Sequence, residues 1–389
     1  MKIVHFTNTY PPSLNGVANV THFFCRGLVE RGHEVHVFAP APRGEDPFAG
    51  DPCVHRYRSV LLPGEVDYMM ALPALTTLRE HYRLLMLEAD IVHSQHPAWV
   101  GAWGHRWARR RKLAFVATAH TQYELYADRA FLPEKWVERV VSRHVGRFFN
   151  LCDVVTTPVN WMRQRLLDKG VTAPIEIVHN PVDLTGLVGP DREGTRARLG
   201  LGADEIVIGF LGRLSPIKNV ECVIDAVAML AQRRPNVRLL VVGDGGRREG
   251  LQSRARRRLG DRAVFTGGIP HAEVKHHDAA MDVFVTASVS ETMPLAYTEA
   301  MYCGTPVIAH ATPGAADMIR DGETGLLVPP ERGAEGLAEA VERVLEEPGL
   351  RQRLLAGGRR FAESCAYAAI AERLEEVYGL ALERAAARQ

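Results

Sequence analysis

The chain has 389 residues, of which 46% are hydrophobic and 24% charged, and its formal net charge is +1. Two or more domains are expected at this length, and the balanced charge gives no reason to expect a nucleic-acid partner. The six cysteines are scattered without a CxxC pair, which indicates neither a zinc site nor a disulfide framework and is typical of a reducing compartment. No signal peptide is visible and no apolar run approaches the roughly 20 residues that cross a bilayer. We therefore expect a cytoplasmic protein whose membrane contact, if it has any, is peripheral on the inner face.

The first half of the sequence alternates between short β-branched apolar segments and helical patterns. Continuous apolar segments of this kind are typical of a parallel sheet that is buried on both faces. A helix is predicted over Val17–Arg31 and closed by Gly32, which suits the position after a helix end. The predicted strands are Lys2–Asn8, Glu34–Pro40, Ile91–Gln95, Ala114–His120, Val154–Pro158 and Ile175–Asn180.

The second half repeats this alternation, which predicts an α/β fold of two doubly wound domains. We place an N-terminal domain at 1–183, a C-terminal domain at 184–360, and a C-terminal helix at 361–389 that returns toward the N-terminal domain. Ligands of open α/β sheets bind beyond the carboxyl ends of the strands, so two such domains would bind a ligand in a cleft. The predicted strands are Ile206–Leu214, Val237–Asp244, Val264–Gly267, Val283–Ser288, Pro306–Ala311 and Leu326–Pro329.

Candidate ligand-binding residues of the first half follow its strands. Gly16 lies between the first strand and the first helix, where glycine lets a ligand approach the backbone closely, although an ordinary turn also explains it. His93, His96 and His120 lie at the ends of two later strands. Because no third ligand stands at a suitable spacing, we favour non-metal roles for them. His93 and His96 are interpreted as structural or acceptor-lining.

Two helical segments of the first half combine aromatic or apolar residues with basic ones. Such helices can lie on an anionic membrane surface. Each helix is explained equally well if its aromatic or apolar residues face the core and its basic residues face solvent. We favour this interpretation for each helix taken alone. The first segment carries Trp99, Trp103 and Trp107 beside Arg106, Arg109, Arg110, Arg111 and Lys112. The second carries Lys135, Arg139, Arg143 and Arg147 beside Trp136, Val137, Val140, Val141, Val145 and Phe148.

Two cations of the second half lie on one predicted strand-to-helix loop. Arg213 and Lys218 follow the first strand of this half. A guanidinium offers a planar fork and an ammonium a point charge, and together they suit a diphosphate. A solvated loop would carry the same residues, but the position at a strand end favours binding.

Two carboxylates, Glu291 and Glu299, flank the start of a predicted helix after Val283–Ser288. A helix N-terminus offers free N–H groups and a partial positive charge to a phosphate. Glu299 could then accept hydrogen bonds from ribose hydroxyls, and Glu291 would lie nearer a sugar. Acidic residues in a first helical turn are also a common stabilising arrangement, and this observation alone does not separate the two interpretations.

Taken together, these motifs resemble the retaining glycosyltransferases of the GT-B fold, family 4, over nearly the whole chain. The resemblance implies that Arg213 and Lys218 bind the donor diphosphate, that Glu299 binds the ribose, and that Glu291 binds the sugar hydroxyls. It also implies that Gly16 approaches the donor phosphate and that His120 hydrogen-bonds the transferred sugar. The motifs are Gly212-Arg213, Lys218, Gly243-Asp244-Gly245, Glu291, Glu299-Ala300-Met301, Gly304-Thr305-Pro306-Val307-Ile308 and Asp321-Gly322 with Gly325.

One loop departs from the family pattern. Many members have a glycine after the first glutamate, where this chain has Thr292-Met293-Pro294-Leu295. Backbone contacts from Met293, Pro294 and Leu295 to the donor sugar remain an expectation. The segments His120–Tyr126 and Phe131–Pro133 look more narrowly like the diacylglycerol glucosyltransferase branch, and related mannosyltransferase branches are similar there.

The resemblance implies transfer of a hexosyl unit from a UDP-glucose or GDP-mannose type of donor to a hydroxyl of a lipid, glycan or small molecule. The anomeric configuration would be retained. No DxD-type pair is placed to hold Mg²⁺, so a metal-independent hexosyltransferase that needs no cofactor beyond its nucleotide-sugar substrate is expected. Two alternatives are a nucleotide-sugar 2-epimerase with the same two-domain layout and a non-catalytic carbohydrate-binding protein.

Overall fold

The computed structural model describes residues 1–13, 15–61, 69–71, 84, 86–97, 100–121 and 134–388. The chain divides into two compact units, Met1–Pro181 with Tyr367–Gln389, and Val182–Ala366. The boundary that we placed at 360/361 lies inside a continuous helix, Leu350–Ser364, and the chain passes from the second unit to the first between Ala366 and Tyr367 instead. Neither glycine nor proline occurs in residues 359–367, so no residue there indicates the end of one unit and the start of the next.

The first unit is built on a seven-stranded parallel sheet in the order β3-β2-β1-β6-β7-β8-β9, with a separate antiparallel pair, β4-β5. Every residue of β6 and β8 is buried, as their continuous apolar sequences predict. The strands are β1 Lys2–Phe6, β2 Glu34–Pro40, β3 Val54–Tyr57, β4 Ser59–Leu61, β5 Met69–Ala71, β6 Ile91–Ser94, β7 Ala114–Thr118, β8 Val154–Thr157 and β9 Ile175–Ile177.

The second unit is built on a six-stranded parallel sheet in the order β12-β11-β10-β13-β14-β15. Its core is one cluster of buried apolar side chains from these strands and from the flanking helices, such as Phe210 of the sheet and Val223 and Val227 of a helix. The strands are β10 Ile206–Leu211, β11 Val237–Val242, β12 Ala263–Gly267, β13 Val283–Thr286, β14 Val307–His310 and β15 Leu326–Val328.

Thirteen α-helices occur among the described residues, and strands alternate with helices in both units. This confirms the predicted fold class. The helices are α1 Gly16–Glu30, α2 Val100–Arg111, α3 Glu134–Phe149, α4 Asn160–Asp168, α5 Arg192–Arg198, α6 Val220–Arg233, α7 Arg248–Leu259, α8 Val274–Ala280, α9 Leu295–Tyr302, α10 Pro313–Met318, α11 Gly333–Glu346, α12 Leu350–Ser364 and α13 Tyr367–Arg388. The last of them, α13, packs against α1 and β7 of the first unit. Within the described part of the chain, no helix is both long and apolar enough to span a membrane.

The predicted strands of both halves are present, but most end earlier than the sequence suggested. Ala114–His120 stops at Thr118, and Ile206–Leu214 stops at Leu211. The predicted strands extend beyond the observed strands at the carboxyl ends, where the chain leaves the sheet to form the loops that carry the candidate residues. The strands β3, β4 and β5 were not predicted.

Each of the two large sheets has one point where the strand order reverses. In the first unit the chain moves outward from β1 to β2 and β3 and then returns to β6 on the other side of β1. In the second unit the same reversal lies between β10 and β13. Ligands of doubly wound sheets bind beyond the carboxyl ends of the strands at these points.

Candidate functional site

The loops after β10 and β11 pack so closely in the second unit that glycine is required. A Cβ atom on Gly243 would collide with the carbonyl oxygen of Gly212, and one on Gly245 would collide with that of Leu214. The Gly212 N–H donates to Val242 O at 2.9 Å, and the Leu214 N–H donates to Asp244 O at 2.8 Å. These contacts fix the backbone that leads to Lys218, and they explain the glycines by packing alone.

Lys218 and Glu291 meet at the reversal point of the second sheet. The Lys218 ammonium donates to Glu291 Oε1 at 2.5 Å, and the side chains are 24% and 9% exposed. A backbone hydrogen bond of 2.9 Å from Val289 N to Ile217 O joins the same two loops. Two candidates 73 residues apart in sequence therefore form one site. An ammonium has three donors, so this bond leaves donors available for a phosphate.

Arg213 lies exposed on the loop after β10. Its carbonyl oxygen accepts from Ser215 N at 3.0 Å, and Lys218 N donates to Ser215 O at 3.0 Å, so both cations belong to one hydrogen-bonded turn. The residue that follows this turn, Asn219, has a φ of 46°. This left-handed conformation is one that asparagine tolerates better than most residues, and it redirects the chain into α6.

The loop before α9 is held at both ends by packing. Met293 is buried, whereas Pro294 and Leu295 are half-buried. Helix α9 begins after Pro294 without a side-chain cap, so its first N–H groups are not occupied by a capping side chain. A Cβ atom on Gly314, in α10, would collide with the carbonyl oxygen of Glu291. Gly314 therefore allows α10 to approach the backbone that carries Glu291.

Glu299 is buried in α9 and is held by a histidine that we did not assign from the sequence. Its Oε1 atom lies 2.9 Å from His271 Nε2, and the two side chains are 6% and 44% exposed. The hydrogen bond to Glu299 raises the pKa of His271 against the lowering effect of burial. His271 follows β12, so its position after a strand end was an available signal.

Replacing Glu299 by glutamine is expected to lower the pKa of His271. The carboxylate is then gone, while the burial that opposes the charged imidazolium remains. An NMR titration of the His271 ring in both proteins measures this, with the resonances of His276 as an internal reference. An unchanged His271 titration would contradict the pairing seen here.

In the first unit, Gly16 is the first residue of α1. The Asn15 side chain caps this helix by accepting from Ala18 N at 3.0 Å and donates to Thr9 Oγ1 at 2.5 Å. A Cβ atom on Gly16 would meet nothing within 4 Å, and Gly16 does not have a positive φ. Neither packing nor backbone conformation therefore requires glycine at this position.

His120 is buried after β7 and is held by Gln95. Its Nε2 atom lies 2.6 Å from Gln95 Oε1, and the Gln95 amide nitrogen lies 3.0 Å from His5 Nδ1. Burial lowers the pKa of His120 to about 3 and that of His5 also to about 3, which favours neutral rings. With this amide orientation, His120 donates from Nε2 and keeps Nδ1 as an acceptor. Gln95 was not assigned from the sequence because it fell in a predicted strand.

The other two histidines have structural contacts. His93 is fully buried, with Nδ1 at 2.8 Å from the Tyr378 hydroxyl and Nε2 at 2.7 Å from Thr118 Oγ1. The Asn8 N–H donates to His96 Nδ1 at 3.1 Å, which joins the loops after β1 and β6. Among the described residues, no three His, Cys, Asp or Glu side chains are grouped to hold a metal.

The aromatic stripe of α2 faces the core. Trp103 and Trp107 each pack against Phe6 with ring centroids 6.3 Å apart, which agrees with the core-facing interpretation. Trp99 and the segments 122–126 and 131–133 lie outside the described residues, as do the side chains of Lys135, Trp136, Val137 and Arg139.

Both halves of the sequence match models of protein families. The model described as Glycosyltransferase Family 4 matches residues 14–185, and the model described as Glycosyl transferases group 1 matches residues 191–361. The alpha-monoglucosyldiacylglycerol synthase of Streptococcus pneumoniae is 30% identical over 91% of this chain and 81% of its own. The GDP-mannose-dependent alpha-mannosyltransferase of Mycobacterium tuberculosis is 30% identical over 92% of this chain and 91% of its own.

Two solved structures share the fold. Anabaena HepE in complex with UDP-glucose has a TM-score of 0.75 at 20% identity, with 97% of this chain and 99% of that chain covered. Sucrose-phosphate synthase from Thermosynechococcus elongatus has a TM-score of 0.75 at 24% identity, with 97% and 98% covered. These likenesses confirm the predicted GT-B fold of two Rossmann-like domains.

Proposed function

Because the chain belongs to the glycosyltransferases of family 4 and group 1, we propose that it transfers a hexosyl unit with retention of anomeric configuration. It is a glycosyltransferase that uses a nucleotide sugar. The donor that we propose is UDP-glucose or GDP-mannose, and the acceptor is a hydroxyl of a lipid, glycan or small molecule. The names of the relatives above include a diacylglycerol product and GDP-mannose, so lipid hydroxyls and these two donors are tested first.

The Lys218–Glu291 pair carries this proposal. A cation and a carboxylate meet where the strand order reverses, on two loops joined by a backbone hydrogen bond. We assign Lys218 and Arg213 to the donor diphosphate, Glu291 to the sugar hydroxyls and Glu299 to the ribose. The backbone from Met293 to Leu295, at the uncapped start of α9, is assigned to the sugar and phosphate. Gly16 is assigned to the donor phosphate and His120 to a hydroxyl of the transferred sugar.

The chemical difficulty is charge separation, because an oxocarbenium-like centre develops while a diphosphate leaves. Arg213, Lys218 and the α9 N-terminus can stabilise that leaving group without a metal. A phosphate that takes the Lys218 ammonium weakens its bond to Glu291, which leaves Glu291 free to accept from a sugar hydroxyl. The leaving phosphate oxygen then takes the proton of the attacking acceptor hydroxyl as the new glycosidic bond forms. No protein nucleophile is assigned, and we propose that activity persists in EDTA.

We place this reaction in a reducing compartment, the cytoplasm, with peripheral contact to the inner membrane face where the acceptor is a lipid. The proposal rests on the cysteines, all six of which are free. Burial raises the pKa of the half-buried Cys222 to about 11 and that of the buried Cys365 to about 12, which fits unreactive thiols.

A panel of nucleotide sugars tests the donor assignment. The right donor is expected to stabilise the folded protein by about 2.7 kcal/mol at a free concentration of about 100 Kd. Thermal unfolding is measured with UDP, GDP and ADP sugars, on the natural chain and on the Lys218→Ala variant. If no nucleotide raises the melting temperature of the natural chain, the donor site is wrong.

Incubation with donor alone separates the alternatives. A transferase consumes the donor rapidly only when an acceptor is added, and analysis of the product anomer tests retention. A 2-epimerase would release an altered nucleotide sugar without an acceptor. A carbohydrate-binding protein would do neither, and its glycan binding would survive Lys218→Ala.

A further inference from the structure

A cavity of about 550 Å³ lies in the first unit, and none of Gly16, His93, His96 and His120 lines it. It is lined by residues that precede β7 and β8, such as Arg109 and Asp153, and by the end of α13, such as Arg388. The strands of this sheet are all parallel, so their amino-terminal ends lie at one edge and His120 at the opposite edge. The proposed glycosyl transfer does not use this cavity.

The cavity has an excess of positive charge. Three arginines, Arg109, Arg384 and Arg388, line it together with one carboxylate, Asp153, so the difference of three and one leaves two uncompensated positive charges. Asp153 is already engaged, since Oδ1 accepts from Arg388 at 2.7 Å and Oδ2 accepts from Phe115 N at 2.8 Å. Arg109 and Arg384 have no ion pair within the described part of the chain.

One guanidinium that lines the cavity, that of Arg388, is held by two protein contacts. Arg388 is anchored by Asp153, which is 6% exposed, and donates to Leu113 O at 3.3 Å. A guanidinium has five N–H donors, so these two bonds leave donors free. His105 also lines the cavity, where burial and then the charges of Arg109 and Arg388 lower its pKa.

The cavity also has an apolar side. Leu151 lines it and is 46% exposed, beside the arginines rather than in the core. Cavities of this volume are within the range that holds small organic ligands. A bare inorganic anion would use the arginines and leave the leucine unoccupied.

We propose that this cavity binds an organic phosphate, with Arg109, Arg384 and Arg388 on the phosphate oxygens and Leu151 against the carbon skeleton. Guanidinium forks match phosphate oxygens in pairs, which an apolar or cationic ligand could not use. The same chemistry is offered by a free phosphate ester and by the headgroup of an anionic phospholipid.

The test compares the double variant Arg109→Gln/Arg384→Gln with a matched control, Arg256→Gln/Arg257→Gln. The control removes the same charge from exposed arginines of α7 in the second unit. Calorimetry measures binding of glycerol 3-phosphate, and sedimentation measures binding to phosphatidylglycerol vesicles against phosphatidylcholine vesicles. Thermal unfolding of both variants checks that they are folded.

The cavity variant is expected to bind at least one of the two anionic probes about tenfold more weakly than the control variant does. Weaker binding of glycerol 3-phosphate by the cavity variant identifies the ligand as a free phosphate ester. Weaker binding to phosphatidylglycerol vesicles alone identifies it as a lipid headgroup. Equal binding by both variants in both measurements, or no binding by the natural chain, overturns the proposal. Binding at the donor site is common to both variants and does not affect the comparison.

Discussion

Replacing Lys218 by alanine is expected to lower kcat/KM for the nucleotide-sugar donor by about 100-fold to 1,000-fold. The ammonium stands 2.5 Å from Glu291 at the reversal point of the second sheet, and we assign it to the charge that develops on the leaving diphosphate. Removing it takes away a charge-assisted contact that strengthens as the glycosidic bond breaks. The measurement is steady-state kinetics with the donor found in the thermal panel, together with the Kd of the matching nucleoside diphosphate.

A fall in kcat/KM that comes from the missing ammonium has to be distinguished from one that comes from damage to the fold. Alanine leaves the Glu291 carboxylate, which is 9% exposed, without its ammonium partner. We therefore compare Lys218→Ala with the double variant Lys218→Ala/Glu291→Gln, which removes the unpaired charge. Lys275→Ala is the matched control, since Lys275 lies in the same unit and donates to a backbone oxygen, Val188 O, at 2.9 Å. Nucleotide binding by Lys218→Ala that equals that of the Lys275→Ala control would contradict the assignment of Lys218.

The location of the second-unit site was predictable from one regularity. Polar residues that follow buried parallel strands gather at the carboxyl edge of the sheet, and this placed Lys218 and Glu291 on loops at that edge. The ion pair itself was not predictable, because it depends on β13 lying beside β10 rather than beside its neighbour in sequence, β12. Strand order is a property of tertiary packing.

The hydrogen-bond partners of the buried side chains Glu299, His120 and His93 were harder to predict from the sequence. His271 follows a strand as Lys218 does, but a single histidine carries little information until its ring is seen against Glu299. Gln95 is the last residue of the predicted strand Ile91–Gln95 and was assigned to the strand itself. The contact between His93 and Tyr378 spans 285 residues, and only the return of α13 to the first unit brings those two side chains together.

Replacing Gln95 by leucine or by glutamate is expected to lower activity in two distinguishable ways. Leucine removes the acceptor that holds the His120 Nε2–H, so the ring loses its fixed tautomer, and kcat falls by about tenfold to 100-fold at all pH values. Glutamate instead places a carboxyl group beside the same nitrogen, and an opposite charge within hydrogen-bond distance favours the imidazolium. The pKa of His120, which burial lowers to about 3 in the natural chain, should therefore rise.

The sign of the pH effect follows from which nitrogen takes the proton. In the natural chain Nε2 already carries a hydrogen for Gln95, so protonation occurs at Nδ1, the atom that we assign as acceptor for a sugar hydroxyl. Gln95→Glu should therefore lose activity as the pH falls through the raised pKa of His120 and recover it at higher pH. Gln95→Leu should show no such loss of activity with falling pH. The pH dependence of kcat and the NMR titration of His120 measure this, with His120→Phe as the reference for complete loss. Identical pH profiles for Gln95→Leu and Gln95→Glu would show that Gln95 supports the fold of the first unit without setting the state of His120.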